Sequence, residues 1–268
     1  NGNIGKDLKM EREVEVKELH VDNHGECIYG IAHIPADRKG PVPMVFLCHG
    51  LGVTSDNMIP YAQALAQNGI GAYRFDFRGG GNNSRSDGAT TKMSPMTEVS
   101  DLEAVLKAAK SWEFVDWNHV FLMGNSQGGL VCALTAPRYQ NEIQGEILLY
   151  PAFVVPDILN SMYASVEEVP ESQWFEWLTL GKKYYVDMAE VDVYQQASRF
   201  QKSVLLLHGD LDELVPISYS KRLAEEMEQT EFHIISGAGH GFSGENLHKA
   251  VAYILDFLQK RIVIDTIS

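Results

Sequence analysis

One hexapeptide decides the fold of this chain: it reads Gly124-Asn125-Ser126-Gln127-Gly128-Gly129. An apolar run at 120–123 precedes it, and a run compatible with a helix begins near Leu130. The pattern fits a Gly-x-Ser-x-Gly turn between a buried strand and a helix, in which strained backbone angles push the serine hydroxyl outward. Glycine is needed two positions before and two positions after the serine, at 124 and 128, because side chains there would collide within the sharp turn. We therefore predict that Ser126 is a nucleophile at the carboxyl end of a strand.

Similar strands recur along the chain, and helical patterns separate them. Short apolar runs bounded by glycine, proline or charged residues are typical of strands that a parallel sheet buries on both faces. Their alternation with amphipathic helices predicts an α/β fold with a mostly parallel central sheet and helices on both faces. The predicted strands are 44–48, 120–123, 146–150, 204–207 and 232–235, and the predicted helices are 61–68, 98–112, 218–228 and 246–261.

Two regions depart from this alternation. Apolar and polar residues alternate at 14–19 and 27–32, on either side of a turn, which predicts an antiparallel hairpin with one solvated face. Residues 152–201 contain no clear strand, prolines interrupt their helical patterns, and aromatic residues cluster there. We predict one domain over 1–268, in which about 152–201 form an inserted lid over the carboxyl edge of the sheet. Most of the aromatics are expected to form the small core of this insertion.

Charge excludes several classes of partner. The 268 residues include 22 Lys+Arg and 36 Asp+Glu, so the formal net charge is −14. Such a field repels phosphate backbones and anionic lipids, and no basic patch offsets it. No apolar run approaches the roughly 18 to 20 residues that span a bilayer. We predict no nucleic-acid partner and no membrane partner.

Cysteine usage bears on compartment and metal binding. The three cysteines, Cys27, Cys48 and Cys132, lie among apolar neighbours. This predicts buried, reduced thiols and a cytoplasmic protein. No pair of cysteines or histidines has the spacing of a structural metal site, so we predict no metal and no organic cofactor.

A serine nucleophile needs a general base, and the base needs a carboxylate to orient it. His240 follows the predicted strand 232–235, and two acids follow the strand 204–207. Asp210 comes directly after its strand, where aspartate commonly caps a turn, so we favour Asp212. The predicted triad is therefore Ser126, Asp212 and His240. Other histidines are expected to be structural or solvated; they are His20, His24, His33, His119 and His248.

The tetrahedral intermediate needs two hydrogen-bond donors for its oxyanion. Gln127, directly after the nucleophile, supplies one backbone N–H. We assign the second to Leu51, in the His-Gly-Leu-Gly loop after the strand 44–48. His49 is expected to order that loop rather than to act as an acid or base.

Together these motifs resemble the α/β-hydrolase superfamily from about residue 26 to the end. They are His-Gly-x-Gly at 49–52, Asp-Phe-Arg-Gly-Gly-Gly at 76–81, the serine turn, His-Gly-Asp-x-Asp-x-x-Val-Pro at 208–216, and Gly-His-Gly-Phe at 239–242. More narrowly, Gly-x-Ser-Gln-Gly-Gly, Met-Ser-Pro-Met-Thr-Glu at 93–98 and Thr-Leu-Gly at 179–181 are similar to bacterial cinnamoyl (feruloyl) esterases. Asn125 stands where these relatives frequently have histidine.

The resemblance implies a serine carboxylesterase that releases hydroxycinnamic acids from small aromatic esters. In that family the insertion supplies an aspartate and a tyrosine that meet the phenolic hydroxyls, and the matching positions are Asp157 and Tyr184. Three alternatives stay open: a monoacylglycerol lipase or acyl thioesterase, a peptidase, and a ligand-binding protein without turnover. The intact three-part signature argues against the last of these. A homodimer formed through exposed aromatics is a further hypothesis.

Overall fold

The structure is a computed structural model, which describes residues 12–265 and their side chains as far as Ile262. Residues 1–11 and 266–268, which the single-domain prediction includes, lie outside the described residues. The strands of the described part are β1 (Val14–Glu18), β2 (Val21–Asn23), β3 (Glu26–Ile28), β4 (Gly30–Pro35), β5 (Val42–Cys48), β6 (Gly71–Phe75), β7 (Val115–Asn125), β8 (Ile143–Leu149), β9 (Ser172–Phe175), β10 (Leu178–Gly181), β11 (Ser203–Gly209) and β12 (Thr230–Ile235). The α-helices are α1 (Ile59–Gln67), α2 (Pro95–Ala109), α3 (Gln127–Thr135), α4 (Val155–Met162), α5 (Lys182–Met188), α6 (Val193–Ala197), α7 (Ser218–Glu226) and α8 (Gly244–Asp265).

Eight strands form the central sheet, in the order β1-β4-β6-β5-β7-β8-β11-β12. Strand β4 runs antiparallel to both of its neighbours, and every pair from β6 to β12 is parallel. The predicted mostly parallel α/β sheet is thereby confirmed. Parallel strands end at one edge, so the segments that follow β5, β7, β11 and β12 meet at the carboxyl edge, where ligands bind in open α/β sheets.

Helices cover both faces of the sheet. Helices α2 and α3 pack over one cluster of buried apolar side chains, and α1 and α8 pack over another on the opposite face. Helix α2 begins earlier than predicted because Ser94 caps it: its Oγ accepts from the Thr97 N–H at 3.2 Å, and its N–H donates to Thr97 Oγ1 at 2.9 Å. Pro95 fits the first turn, where no N–H is required. This start places Glu98 in the buried first turn of the helix.

The predicted N-terminal hairpin forms, with a difference at its tip. Strand β1 pairs antiparallel with β4, and Val14 lies opposite Pro35. Between these strands, β2 and β3 form a separate two-stranded hairpin. The prediction of one continuous strand over 27–32 was therefore wrong. The strand is interrupted because the Tyr29 N–H donates to Ser86 Oγ at 2.8 Å.

Strand β6 was missed by the sequence analysis. Arg74 is the fourth of the five residues of this strand and breaks its apolar run, although the residue is only 5% exposed. The guanidinium donates to Asp56 Oδ1 at 2.8 Å and to His33 Nε2 at 2.9 Å. A buried charge requires such partners. Both partners are distant in sequence, so no local pattern could predict a buried arginine here.

The segment between β8 and β11 contains the helices α4, α5 and α6 and the β9–β10 hairpin. The expectation that it holds no clear strand was wrong. Each strand has four residues, too few for alternation to be recognised, and the hairpin turns at Glu176 with φ 54°. Pro156 does not interrupt α4 but stands in its first turn. A proline at that position removes no helical hydrogen bond.

The aromatic residues of this segment do not form a core of their own. The buried ones are Phe153, Tyr184, Tyr185, Tyr194 and Phe200, and they belong to the core cluster that lies under α2 and α3. The rings of Phe153 and Tyr194 lie 4.9 Å apart. Trp174 and Trp177 of the hairpin are exposed instead. The separate small core was therefore a wrong prediction, because the segment packs directly on the main domain.

The cysteines differ in burial. Cys48 and Cys132 are buried and free, as predicted, whereas Cys27 is only half-buried. Its Sγ lies 3.6 Å from Nδ1 of His20. Within residues 12–265 no helix combines the length and apolar character needed to cross a membrane.

Glu146 is a fully buried acid in the central strand β8. Its register neighbours are Leu122 on β7 and Val204 on β11, and neither carboxyl oxygen has a partner within the described part of the chain. Burial raises the pKa of Glu146 from 4.5 to about 8. The side chain is therefore protonated in the folded protein at neutral pH, whereas it ionises in the unfolded chain.

We expect Glu146→Gln to stabilise the protein increasingly as the pH rises. Stability from a group with a raised pKa is complete below the unfolded value and is lost as the pH approaches the folded value, so the wild type weakens between about pH 4.5 and pH 8. The glutamine does not ionise, so the stability of the variant relative to the wild type should increase by about 3 kcal/mol between about pH 5 and about pH 8. Urea unfolding across this range measures the difference.

The exposed Glu113→Gln is the matched control and should follow the wild type at every pH. Burial also raises the pKa of Glu98, so part of the wild-type pH dependence should persist in the Glu146→Gln variant. A constant difference between the variant and the wild type across the range would contradict the assignment.

Candidate active site

Ser126 lies between β7 and α3 in a strained conformation, with φ 53° and ψ −121°. Two glycines permit the turn. A Cβ on Gly124 would lie 2.2 Å from the Gly128 carbonyl oxygen, and one on Gly128 would lie 2.2 Å from the Cys48 carbonyl oxygen. Non-glycine residues hold positive φ values of this kind where the surrounding structure enforces them, frequently at functional sites. The predicted geometric reason for the glycines is thus found in the structure.

The structure brings Ser126, His240 and Asp212 together. Oγ of Ser126 lies 3.0 Å from Nε2 of His240, and Nδ1 of His240 lies 2.8 Å from Oδ2 of Asp212. The carboxylate only accepts hydrogen bonds, so Nδ1 carries the proton and Nε2 accepts from the serine hydroxyl. This is the hydrogen-bond arrangement of a nucleophile, a base and an orienting acid.

Four donors surround the Asp212 carboxylate. Oδ1 accepts from the backbone N–H groups of Leu214 at 3.0 Å and Val215 at 2.9 Å. Oδ2 lies close to His240 and also 3.2 Å from Nε2 of His208. Burial opposes ionisation, but the hydrogen bonds from His208 and His240 outweigh it and hold the pKa of Asp212 well below its usual range. Asp212 is therefore a fixed negative charge beneath the imidazole.

Asp210 does not cap the turn after its own strand, as was expected, but bonds to the loop after β12. Its Oδ1 accepts from the Gly237 N–H at 2.6 Å, and its Oδ2 lies 3.4 Å from Ser236 Oγ. It thereby ties the end of β11 to the loop that carries His240. The geometry favours Asp212 over Asp210 as the orienting acid.

Two backbone N–H groups are available next to Ser126. Leu51 and Gln127 line the same pocket as the serine, and in the described part of the chain no protein acceptor is found for either N–H. Gln127 is the first residue of α3, where the N–H groups lack helical partners and the helix dipole adds positive potential. These are the positions predicted for an oxyanion hole.

His49 fixes the loop that carries Leu51. The Phe77 N–H donates to its Nε2 at 3.0 Å, so Nδ1 carries the proton and donates to the Gly50 carbonyl at 2.7 Å. Burial lowers the pKa of His49, which keeps the imidazole neutral. As expected, the side chain orders the loop from below.

The Gln127 side chain is held in place by a buried network. Its Nε2 donates to Glu98 Oε2 at 2.9 Å, and its Oε1 accepts from the Tyr184 hydroxyl at 2.5 Å. Burial raises the pKa of Glu98 well above its usual range, which favours the protonated form of its carboxyl group. The network fixes the residue whose N–H faces the pocket. No sequence pattern around Glu98 predicted its contact with Gln127.

The pocket above Ser126 has a volume of about 350 Å³. One set of its lining residues, which we call the apolar arm, comes mostly from the 152–201 segment. Helix α4 contributes residues at helical spacing, and the hairpin and the loop after β11 complete the walls. The side chains that line the apolar arm are Val154, Val155, Ile158, Leu159, Phe175, Leu180, Leu214 and Val215.

Asp157 does not contribute to this pocket. It is exposed, and its Oδ2 accepts from the Tyr219 hydroxyl at 2.6 Å. Val155, Ile158 and Leu159 occupy the pocket face of α4, and a residue at 157 falls on another face of the helix. The assignment of Asp157 as a substrate-binding residue is therefore corrected. Tyr184 does line the pocket, but its hydroxyl proton is already given to Gln127, so a substrate hydroxyl can only donate to it.

Two residues beside the triad were missed. The Nε2 proton of His208 is shared between the Val215 carbonyl at 2.8 Å and Asp212 Oδ2 at 3.2 Å, and Nδ1 accepts from Ser220 Oγ at 2.7 Å. Tyr150, with φ 36°, packs its ring edge-on against His240 at 4.8 Å. Tyr150 could have been predicted to lie near the active site, because it directly follows β8 at the carboxyl edge of the sheet.

Comparison with known proteins agrees with this geometry. The protein family described as serine aminopeptidase, S33 matches residues 39–189, which is more than half of the chain. The chain belongs to this family of serine hydrolases. Its fold is that of the α/β-hydrolases. The matched segment includes the serine turn and the loop of Leu51, while Asp212 and His240 follow it.

Similar proteins are found in several bacteria. An uncharacterized 31.7 kDa protein of Escherichia coli is 32% identical over 88 residues, which are 32% of this chain and 30% of that protein. An uncharacterized protein of Mycobacterium tuberculosis is 27% identical over 233 residues, covering 84% of this chain and 72% of that protein. Among solved structures, Est1E from Butyrivibrio proteoclasticus with bound ferulic acid superposes with a TM-score of 0.85 at 23% identity, over 91% of this chain and 99% of that one.

Proposed function

We propose that this protein is an esterase that hydrolyses small aromatic esters of the hydroxycinnamoyl type. The observation that carries the proposal is the apolar arm, which opens directly beside Ser126 and offers aromatic and aliphatic walls. The Est1E structure, whose bound ligand is ferulic acid, supports the choice of acyl group. Tyr184 can accept a hydrogen bond from a phenolic hydroxyl at the wall of the pocket.

The reaction follows from the positions of the atoms. Ser126 Oγ attacks the ester carbonyl while His240 Nε2 takes its proton, and the N–H groups of Leu51 and Gln127 bind the oxyanion. Collapse of the intermediate breaks the bond to the alcohol, which leaves with the proton from His240. Water then attacks the acyl carbon, gives a proton to His240, and the acid departs as that proton returns to Ser126.

The family description raises the alternative of an aminopeptidase. Such an enzyme needs a carboxylate in the pocket to hold the α-ammonium group of its substrate. Glu176 is the one carboxylate among the described residues that line the pocket, and it is exposed at the hairpin turn. The apolar walls favour an ester with an uncharged acyl group instead.

A series of methyl esters tests the proposal. We expect kcat/KM for methyl ferulate to exceed that for methyl esters of aliphatic acids of similar length by about 10-fold or more, because the aromatic acid fills the apolar arm and meets Tyr184. The alcohol is the same throughout, so the comparison reports on the acyl group alone. Asp157→Asn should leave these values unchanged, since Asp157 lies outside the pocket.

Other outcomes separate the alternatives. Values of kcat/KM that increase with aliphatic chain length would contradict the aromatic proposal and favour a lipase or thioesterase. Hydrolysis of aminoacyl amides in preference to esters would indicate a peptidase.

A further inference from the structure

A second set of residues lines the same pocket on the side of His240. Its members come from α1 and the turn before it, from the end of β7, from Tyr150 and from the chain after His240, and none come from 152–201. We call it the tyrosine arm. The residues that define it are Asn57, Tyr61, Asn125, Tyr150, Phe242 and Leu247.

Contacts connect this arm directly to the base. The Tyr150 ring packs edge-on against His240 at 4.8 Å and against Phe242 at 4.9 Å. At the far end of the same ring, the Tyr150 hydroxyl accepts from Asn125 Nδ2 at 3.2 Å, and Asn125 Nδ2 also donates to Asn57 Oδ1 at 2.9 Å. A molecule in this arm therefore lies beside His240 and reaches the hydroxyl and amide groups.

Two tyrosine hydroxyls of the arm have protons that no protein group accepts among residues 12–262. Tyr61 is 4% exposed and lines the pocket, and its hydroxyl has no hydrogen-bond partner among residues 12–262. Tyr150 is 3% exposed, and within the same residues its hydroxyl accepts a hydrogen bond but has no acceptor for its own proton. A hydroxyl that faces the pocket with an unused donor can bond to a polar ligand there, whereas an apolar ligand would leave it without a partner, which is unfavourable.

The position of His240 identifies which part of a substrate enters the arm. His240 delivers its proton to the departing oxygen, so the alcohol part of an ester must lie on the histidine side of Ser126. The residues that define the arm offer hydroxyl and amide groups but no charged side chain. The buried carboxylate of Asp212 beneath His240 and the net charge of −14 disfavour an anionic alcohol.

We propose that the tyrosine arm is a leaving-group subsite that binds an uncharged alcohol carrying further hydroxyl groups, with Tyr61, Tyr150 and Asn57 as its hydrogen-bonding residues. This inference rests on the proposed esterase function and extends it to the alcohol. A plain alkyl alcohol of the same size fills the space but leaves the tyrosine hydroxyls unpartnered. Glycerol and sugar alcohols share the required chemistry of neighbouring hydroxyls.

Two esters of one acid test the proposal. The glyceryl and propyl monoesters of ferulic acid have alcohols of equal carbon number and differ in two hydroxyl groups. For the wild type we expect kcat/KM for the glyceryl ester to exceed that for the propyl ester by about 10-fold. In Tyr61→Phe, which keeps the ring but removes the unpartnered hydroxyl, this ratio should fall about 5-fold or more. Tyr253→Phe, on α8 and outside the pocket, is the matched control and should keep the wild-type ratio.

A sugar ester of ferulic acid extends the comparison to the second source of neighbouring hydroxyls. A wild-type ratio near one for the glyceryl and propyl esters would overturn the proposal. So would a Tyr61→Phe variant that lowers both rates by one factor, or that changes the acyl preference instead of the alcohol preference. If ferulate esters are not hydrolysed but aliphatic esters are, the proposed function fails, and the same pair of alcohols on the preferred aliphatic acid tests the arm separately.

Discussion

Replacing Ser126 with alanine is expected to lower kcat for ester hydrolysis by about 10⁴- to 10⁶-fold. The lost hydroxyl lies 3.0 Å from Nε2 of His240, and the described part of the pocket holds no other side-chain nucleophile at that distance from the imidazole. The N–H groups of Leu51 and Gln127 remain in place, so a residual rate above that of water should persist. Steady-state assays on methyl ferulate and on a p-nitrophenyl ester measure the change.

The control experiment for this variant is to show that it remains folded. Alanine occupies the same strained backbone as serine, with φ 53°, so circular dichroism and the melting temperature should stay close to those of the wild type. Turnover near the wild-type value in a folded Ser126→Ala protein would remove Ser126 from the role of nucleophile.

Replacing Asp212 with asparagine is expected to lower kcat by about 10³- to 10⁴-fold. The carboxylate accepts from four donors, which are the N–H groups of Leu214 and Val215 and the imidazoles of His208 and His240. An amide has one oxygen, so its NH₂ group must face two of these donors. The arrangement that holds the proton on Nδ1 of His240 is then lost.

Asp210→Asn is the matched control for the acid. Its bond to the Gly237 N–H can be kept by an amide oxygen, so we expect kcat within about 3-fold of the wild type. Kinetics of the two variants on one ester make the comparison. A large loss in Asp210→Asn together with a small loss in Asp212→Asn would reverse the assignment of the acid.

The sequence was informative where burial depends on local pattern. The strand that leads into the serine turn contains a continuous apolar run at 120–123, because a parallel sheet with two covered faces leaves it no solvated side. The glycines at 124 and 128 could be explained in advance, since the close approach of the backbone that excludes a Cβ belongs to the turn itself. Asp212 could be preferred to Asp210 from its distance to the strand end.

The sequence was uninformative where burial depends on a distant partner. Strand β6 was missed because Arg74 is buried only by virtue of Asp56 and His33. The contact of Gln127 with Glu98 joins two segments 29 residues apart, and neither segment signals the other. The transfer of a binding role to Asp157 failed for a related reason, because the face of a short helix changes with a one-residue shift of alignment.

Covalent labelling tests the central claim, that Ser126 activated by His240 and Asp212 is the nucleophile, most directly. The wild type is treated with a fluorophosphonate ester, and the site of the adduct and the remaining esterase activity are followed together by peptide mass mapping and assay. We predict one adduct, on Ser126, that forms in proportion to the loss of activity and does not form in Ser126→Ala. Full esterase activity in protein fully modified at Ser126, or loss of activity with an adduct at another residue, would contradict the account.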